Sequence, residues 1–170
     1  KLVNWSRKSK LFKPIRSNFD SLLKKLRSLV IRMTYQPYPD YGNRDSEGYI
    51  LMKEILAEFI RSLSSTPVII LPIPTYHYYV DGAKPIYNKF FNFFNNPKNN
   101  VHVLDLLKHI KNLDFTKRQS LCFKEDKSHF SQFGHQVISN FLIKQISDRK
   151  ILSTSKERKI IEKINIIKKN

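Results

Sequence analysis

The amino-acid sequence predicts an α/β fold, a parallel sheet flanked by helices, and three observations carry that expectation. Residues 67–73 are almost wholly apolar and β-branched, as in a strand covered on both faces of a parallel sheet. Two segments with apolar residues at threes and fours, 47–63 and from Ser131 onward, read as amphipathic helices. The order of elements is helix, strand, helix, strand, loop and helix, which is α/β grammar. With 170 residues the chain is long enough for one domain with a real core and too short to divide readily into two.

The elements follow in order. Between Trp5 and Met33, Leu11, Ile15, Phe19, Leu22, Leu23, Leu26 and Leu29 recur at helical spacing with Lys and Arg between them. This predicts a basic amphipathic connecting helix over residues 1–33, broken near Pro14. Residues 34–45 hold Pro37, Pro39, Gly42 and Asn43 and read as a loop. Ser46 then suits an N-cap for a helix over 47–63, with Glu47 near its positive end. The strand at 67–73 runs into a polar-aromatic loop over 74–82. Ligands of open α/β sheets bind beyond the carboxyl ends of the strands, so His77 and Tyr78 are candidate substrate contacts, helped by Tyr76 and Asp81. A short aromatic helix is expected over 86–94, a turn at 95–100, and a second strand over 101–106 that enters a helical turn. A third strand is expected over 118–123. The last helix carries Phe133, Val137, Ile138, Phe141, Leu142 and Ile146 on one face, and residues 149–170 form a basic tail.

Charge narrows the functional classes. The formal charge is +17, yet residues 1–32 contribute +9 and residues 149–170 contribute +6, leaving +2 for the 116 residues between them. A nearly neutral core with basic ends makes nucleic acid an unlikely partner on charge alone. No apolar run reaches the length of a membrane span, and the first thirty residues lack the apolar stretch of a signal peptide. A cytoplasmic location is therefore expected. The chain begins at Lys1 and reads as a piece of something longer. Its single cysteine, Cys122, lies between Leu121 and Phe123 and is expected to be a buried structural thiol. No cofactor is implied, and the spacing of His77, His129 and His135 matches no specific metal site.

The segment that carries chemistry is Asp126-Lys127-Ser128-His129-Phe130-Ser131-Gln132-Phe133-Gly134-His135. Asp and His three residues apart in a turn can set a carboxylate against the imidazole Nδ1 and leave Nε2 free. That is the orienting half of a hydrolytic triad, in which the carboxylate fixes the tautomer and stabilises the imidazolium. Ser131 suits the N-cap of the helix that follows, and Gly134 would let that helix pack closely on a neighbour. His135 is expected to be structural, while His102 and His109 show no partner pattern.

On Asp126, His129, Gly134 and His135 the sequence resembles the SGNH, or GDSL, hydrolase superfamily, whose last conserved block has this form. The preceding helix and two strands also look like the second half of that fold, over roughly residues 46–146. The resemblance implies a flavodoxin-like three-layer domain of which 34–148 is the C-terminal half, with Asp126 and His129 as acid and base. It also implies an ester substrate, a carbohydrate ester among the candidates. The departures are specific. The chain has neither a Gly-Asp-Ser motif for the nucleophile nor a Gly-x-Asn-Asp block for the oxyanion donors. Ser46, Ser128 and Ser131 are poor substitutes, two of them better explained as caps. The resemblance therefore places the nucleophile in an upstream N-terminal half and leaves the chain inactive by itself. Three readings follow: an SGNH-type serine esterase or acyl-transfer domain, a non-catalytic basic module binding a polyanion such as nucleic acid or acidic polysaccharide, and a degenerate fold kept for interaction.

Overall fold

A computed structural model of the chain describes residues 12–63 and 66–152, with side chains from residue 19. The architecture is mixed α/β and mostly helical, built around a two-stranded parallel sheet. Residues 1–11 and 153–170, which hold the start of the expected basic helix and most of the basic tail, lie outside the described residues.

Helix α1 (Phe12–Thr34) runs without interruption, so the expected break near Pro14 does not occur. The φ near −65° that proline imposes is itself a helical value. The far end of α1 is fastened to the body of the protein. Arg32 Nε donates to the Asp81 carbonyl at 2.7 Å, and the Tyr35 hydroxyl donates to Thr75 Oγ1 at 2.9 Å. The expected loop follows and contains one 3-10 turn, Pro39–Gly42. Helix α2 (Glu47–Ser62) starts as predicted, with Ser46 Oγ accepting from the Tyr49 amide at 3.2 Å.

Strands β1 (Val68–Ile70) and β2 (Val101–Val103) pair in parallel, with Val68 opposite Val101, Ile69 opposite His102 and Ile70 opposite Val103. β1 is shorter than the apolar run that predicted it, because Pro72 and Pro74 have no amide to continue a ladder. The segment that joins the strands holds α3 (Tyr76–Tyr79) and α4 (Tyr87–Asn92). The expected 74–82 loop therefore contains one helical turn, and it buries Tyr78 and Tyr79. After β2 come α5 (Leu106–Lys111) and α6 (Phe115–Ser120), each capped by an aspartate: Asp105 Oδ1 takes the Lys108 amide and Asp114 Oδ1 the Lys117 amide, both at 2.9 Å.

The third strand expected over 118–123 is corrected here. Most of it lies in and just after α6, and Cys122 alone forms an isolated antiparallel bridge, to Phe130. The cap at Asp114 starts a helix where the apolar residues further on had suggested a strand. Helix α7 (Gln132–Asp148) closes the described chain, with Ser131 as its N-cap. None of the described helices is long and apolar enough to cross a membrane.

The core lies between the sheet and α3, α5 and α7. Tyr79, Leu104, Leu106, Ile110 and Leu121 are essentially inaccessible there, and Phe141 of α7 closes the cluster. A smaller cluster of Phe90, Phe94 and Val103 packs against Leu56, Ala57 and Ile60 of α2. Cys122 is buried, and its thiol shares a 3.0 Å hydrogen bond with the Tyr79 hydroxyl. The predicted apolar face of α2 is only half used, since Ile50, Leu51, Ile55 and Phe59 stay exposed. On α1 the predicted apolar face is not used at all over its described side chains, with Phe19, Leu22, Leu23, Leu26 and Leu29 all exposed.

Candidate active site

The loop that carries Asp126 and His129 is clamped at its base. Phe123 N donates to the His129 carbonyl at 3.2 Å and Ser131 N to the Leu121 carbonyl at 2.8 Å, on either side of the Cys122–Phe130 bridge. Gly134 makes the clamp possible. A Cβ at that position would lie 2.1 Å from the Leu121 carbonyl oxygen and 2.9 Å from the Phe130 ring. Only glycine lets the first turn of α7 approach the loop so closely. Ser131 serves both sides, its Oγ accepting from the Gly134 amide at 3.1 Å and donating back to the Ser120 carbonyl at 2.7 Å.

Within the loop, Asp126 Oδ1 accepts from the Ser128 amide at 2.8 Å, an Asx turn, and also from the Ser128 hydroxyl. Asp126 Oδ2 hydrogen-bonds His129 Nδ1. The expected carboxylate-imidazole pair is thus formed, and no described residue occupies His129 Nε2. The Ser128 hydroxyl, then His129, then the Ser128 amide hold the Asp126 carboxyl well below the usual carboxylate range. It stays ionised, as an orienting carboxylate must. The pair is open to solvent, with the His129 side chain 75% exposed.

The alternative serines are all committed elsewhere. Ser128 Oγ contacts Asp126 and lies 3.3 Å from Nδ1 of His129, on the opposite side of the ring from the nitrogen that would activate a nucleophile. Ser131 caps α7, and Ser46 caps α2 while donating to the Asn43 carbonyl at 2.9 Å.

His77 lies in α3, just past the carboxyl end of β1, with Nδ1 2.7 Å from Asp81 Oδ2. Tyr78, expected to contact substrate beside it, is only 3% exposed, and its ring packs edge-on against Tyr35 and Tyr87. It is a core residue, not an exposed contact. His135 stacks edge-on against Phe130 at 6.1 Å. Tyr76 connects the two imidazole pairs: Lys127 Nζ sits 5.1 Å from its ring centroid, and its ring centroid is 5.8 Å from that of His77. Sequence reasoning missed the parts played by Arg32 of α1 and by Tyr35, just past its end. No local signal identifies them, because their partners are 49 and 40 residues away. Among the described residues, no group of three or more His, Cys, Asp or Glu side chains could hold a metal ion. Comparison with family models, curated proteins and solved structures finds no match for this chain.

Proposed function

We propose that this chain supplies the base and orienting carboxylate of an SGNH-type serine esterase or acyl-transfer site acting on a carbohydrate or other acyl ester. The nucleophile and oxyanion donors come from an upstream part of the same domain. One observation carries the reading: Asp126, held ionised by Ser128, fixes His129 through Nδ1 and leaves Nε2 without a partner among the described residues. His129 then takes the serine proton at Nε2 as Oγ attacks the ester carbonyl, and returns it to the departing alkoxide. In the second half-reaction it activates water or an acceptor alcohol against the acyl-enzyme.

The fold supports an upstream half. Val68 N donates to Asn100 and Ile70 O accepts from Leu104 on the β2 side, so Ile69 turns its N–H and C=O to the other edge. No described residue pairs with that edge. A two-stranded parallel sheet is small for an α/β domain, and a larger flavodoxin-like sheet would extend from β1 and cover the exposed apolar rows of α1 and α2. The test uses the protein with its upstream half included. His129→Ala should lower kcat on p-nitrophenyl acetate by about 10³-fold or more, Asp126→Asn should cause a loss of similar order, and a fluorophosphonate should label a serine upstream of Lys1. An unchanged rate in His129→Ala would sink the assignment of the base.

A further inference from the structure

A second histidine-aspartate pair is built more firmly than the first. The His77 and Asp81 side chains are 32% and 22% exposed, against 75% and 47% for His129 and Asp126. The backbone is shaped to bring them together. Gly82 has φ +76°, and a Cβ there would lie 3.3 Å from Arg32 Nε. The Ala83 amide returns to the His77 carbonyl at 3.0 Å, and Arg32 holds the Asp81 carbonyl. Tyr35 stands 4.5 Å from the His77 ring, centroid to centroid, at 60°, and Tyr76 stands 5.8 Å away at 89°. In the tautomer that donates Nδ1–H to Asp81, Nε2 is a hydrogen-bond acceptor, and no described residue uses it.

We propose that His77, oriented by Asp81, binds a neutral hydroxyl of the substrate, on a polyhydroxylated alcohol moiety such as a sugar. The surroundings select that chemistry. With Asp81 on Nδ1, the open nitrogen lies on the far side of the ring from the carboxylate, and an acceptor nitrogen there calls for a hydrogen-bond donor such as an O–H group. Beside the imidazole the Tyr35 ring, at 4.5 Å, supplies the aromatic border that suits the C–H faces of a sugar. The contact of Lys127 with Tyr76 places this subsite beside the Asp126–His129 loop. His77 is a positioning residue here, and its part in turnover rests on the esterase reading, whereas its binding of a hydroxyl does not.

Two measurements test it. In the chain itself, methyl α-D-glucoside should shift the His77 Hε1 resonance while sodium acetate does not, and Asp81→Asn should abolish the shift. A His77 resonance indifferent to the glucoside overturns the proposal. In the protein with its upstream half, His77→Ala should lose at least tenfold more kcat/KM on a monoacetylated methyl glucoside than on p-nitrophenyl acetate. The loss should fall mainly in KM, and His77→Gln, which keeps a polar group near Nε2, should recover part of it. Equal losses on both substrates, or none, overturn it. Should His129→Ala retain activity, the esterase reading falls, and the glucoside-induced shift still decides the His77 site.

Discussion

Ser128 shows how much a single residue's geometry decides. Sequence proximity to His129 makes it a conceivable nucleophile, and the structure puts its hydroxyl on Asp126 and on the Nδ1 side of the imidazole. It serves the carboxylate instead. Tyr87 carries the opposite lesson. Its hydroxyl is buried without a hydrogen-bond partner, and burial, reinforced by the charge of Asp105, pushes its ionisation far above the usual tyrosine range. A buried unpaired hydroxyl costs about 1–3 kcal/mol. Tyr87→Phe should therefore leave the fold intact and raise stability by about 1 kcal/mol in urea unfolding; a loss of more than that would mean the hydroxyl has a partner.

At the scale of elements, the start of α7 and the loop before it form one unit. Ser131→Ala removes an N-cap, which typically costs about 1 kcal/mol, and here it also releases the Ser120 carbonyl. Gly134→Ala forces a methyl group against the Leu121 carbonyl and should cost about 1–3 kcal/mol. In unfolding experiments both variants should be destabilised, Gly134→Ala the more so, and the Asp126–His129 loop and first turn of α7 should lose amide protection before the rest of that helix. Both features were legible in the sequence, because capping and close packing at a helix start depend on residues a few positions apart. The misread strand at 118–123 shows the limit of such local reasoning. Leu121 and Cys122 are buried as strand residues would be, but by packing under α3 and α7, while the cap at Asp114 commits the preceding residues to α6.

For the molecule as a whole, two histidines make stability depend on pH. His102, 8% exposed in the middle of β2 with Nδ1 unpaired, has its pKa lowered by burial and then by Arg149. His109, stacked 4.8 Å from Phe141, is lowered by burial and then by Lys144. A depressed pKa in the folded state means that the unfolded chain binds more protons once pH falls below about 6.5. Stability should thus be fully present above that pH and decline as pH drops through the window down to the folded pKa values. The urea midpoint should fall between pH 7.5 and pH 5, and His102→Gln should flatten that slope; a midpoint indifferent to pH would show that neither imidazole is neutral and buried. The apolar rows of α1 and α2 and the free edge of β1 belong to this scale too, as surface that the described residues do not cover.

The sequence by itself determined what is local: the helix starts at Ser46 and Ser131, the two apolar strands, the glycine at the foot of α7, and the Asp126–His129 pair three residues apart in a turn. Each rests on hydrogen bonds or periodicities that span a few residues. Tertiary structure decided what depends on distant partners. It buried Tyr78, brought Arg32 of α1 and Tyr35 just past its end to the His77–Asp81 pair, turned the expected third strand into a helix and a single bridge, and left one edge of the sheet unpaired among the described residues. The pairing of Asp126 with His129 could be read from the chain. Which groups surround it could not, because side chains 40 or more positions apart meet only when the backbone between them has folded.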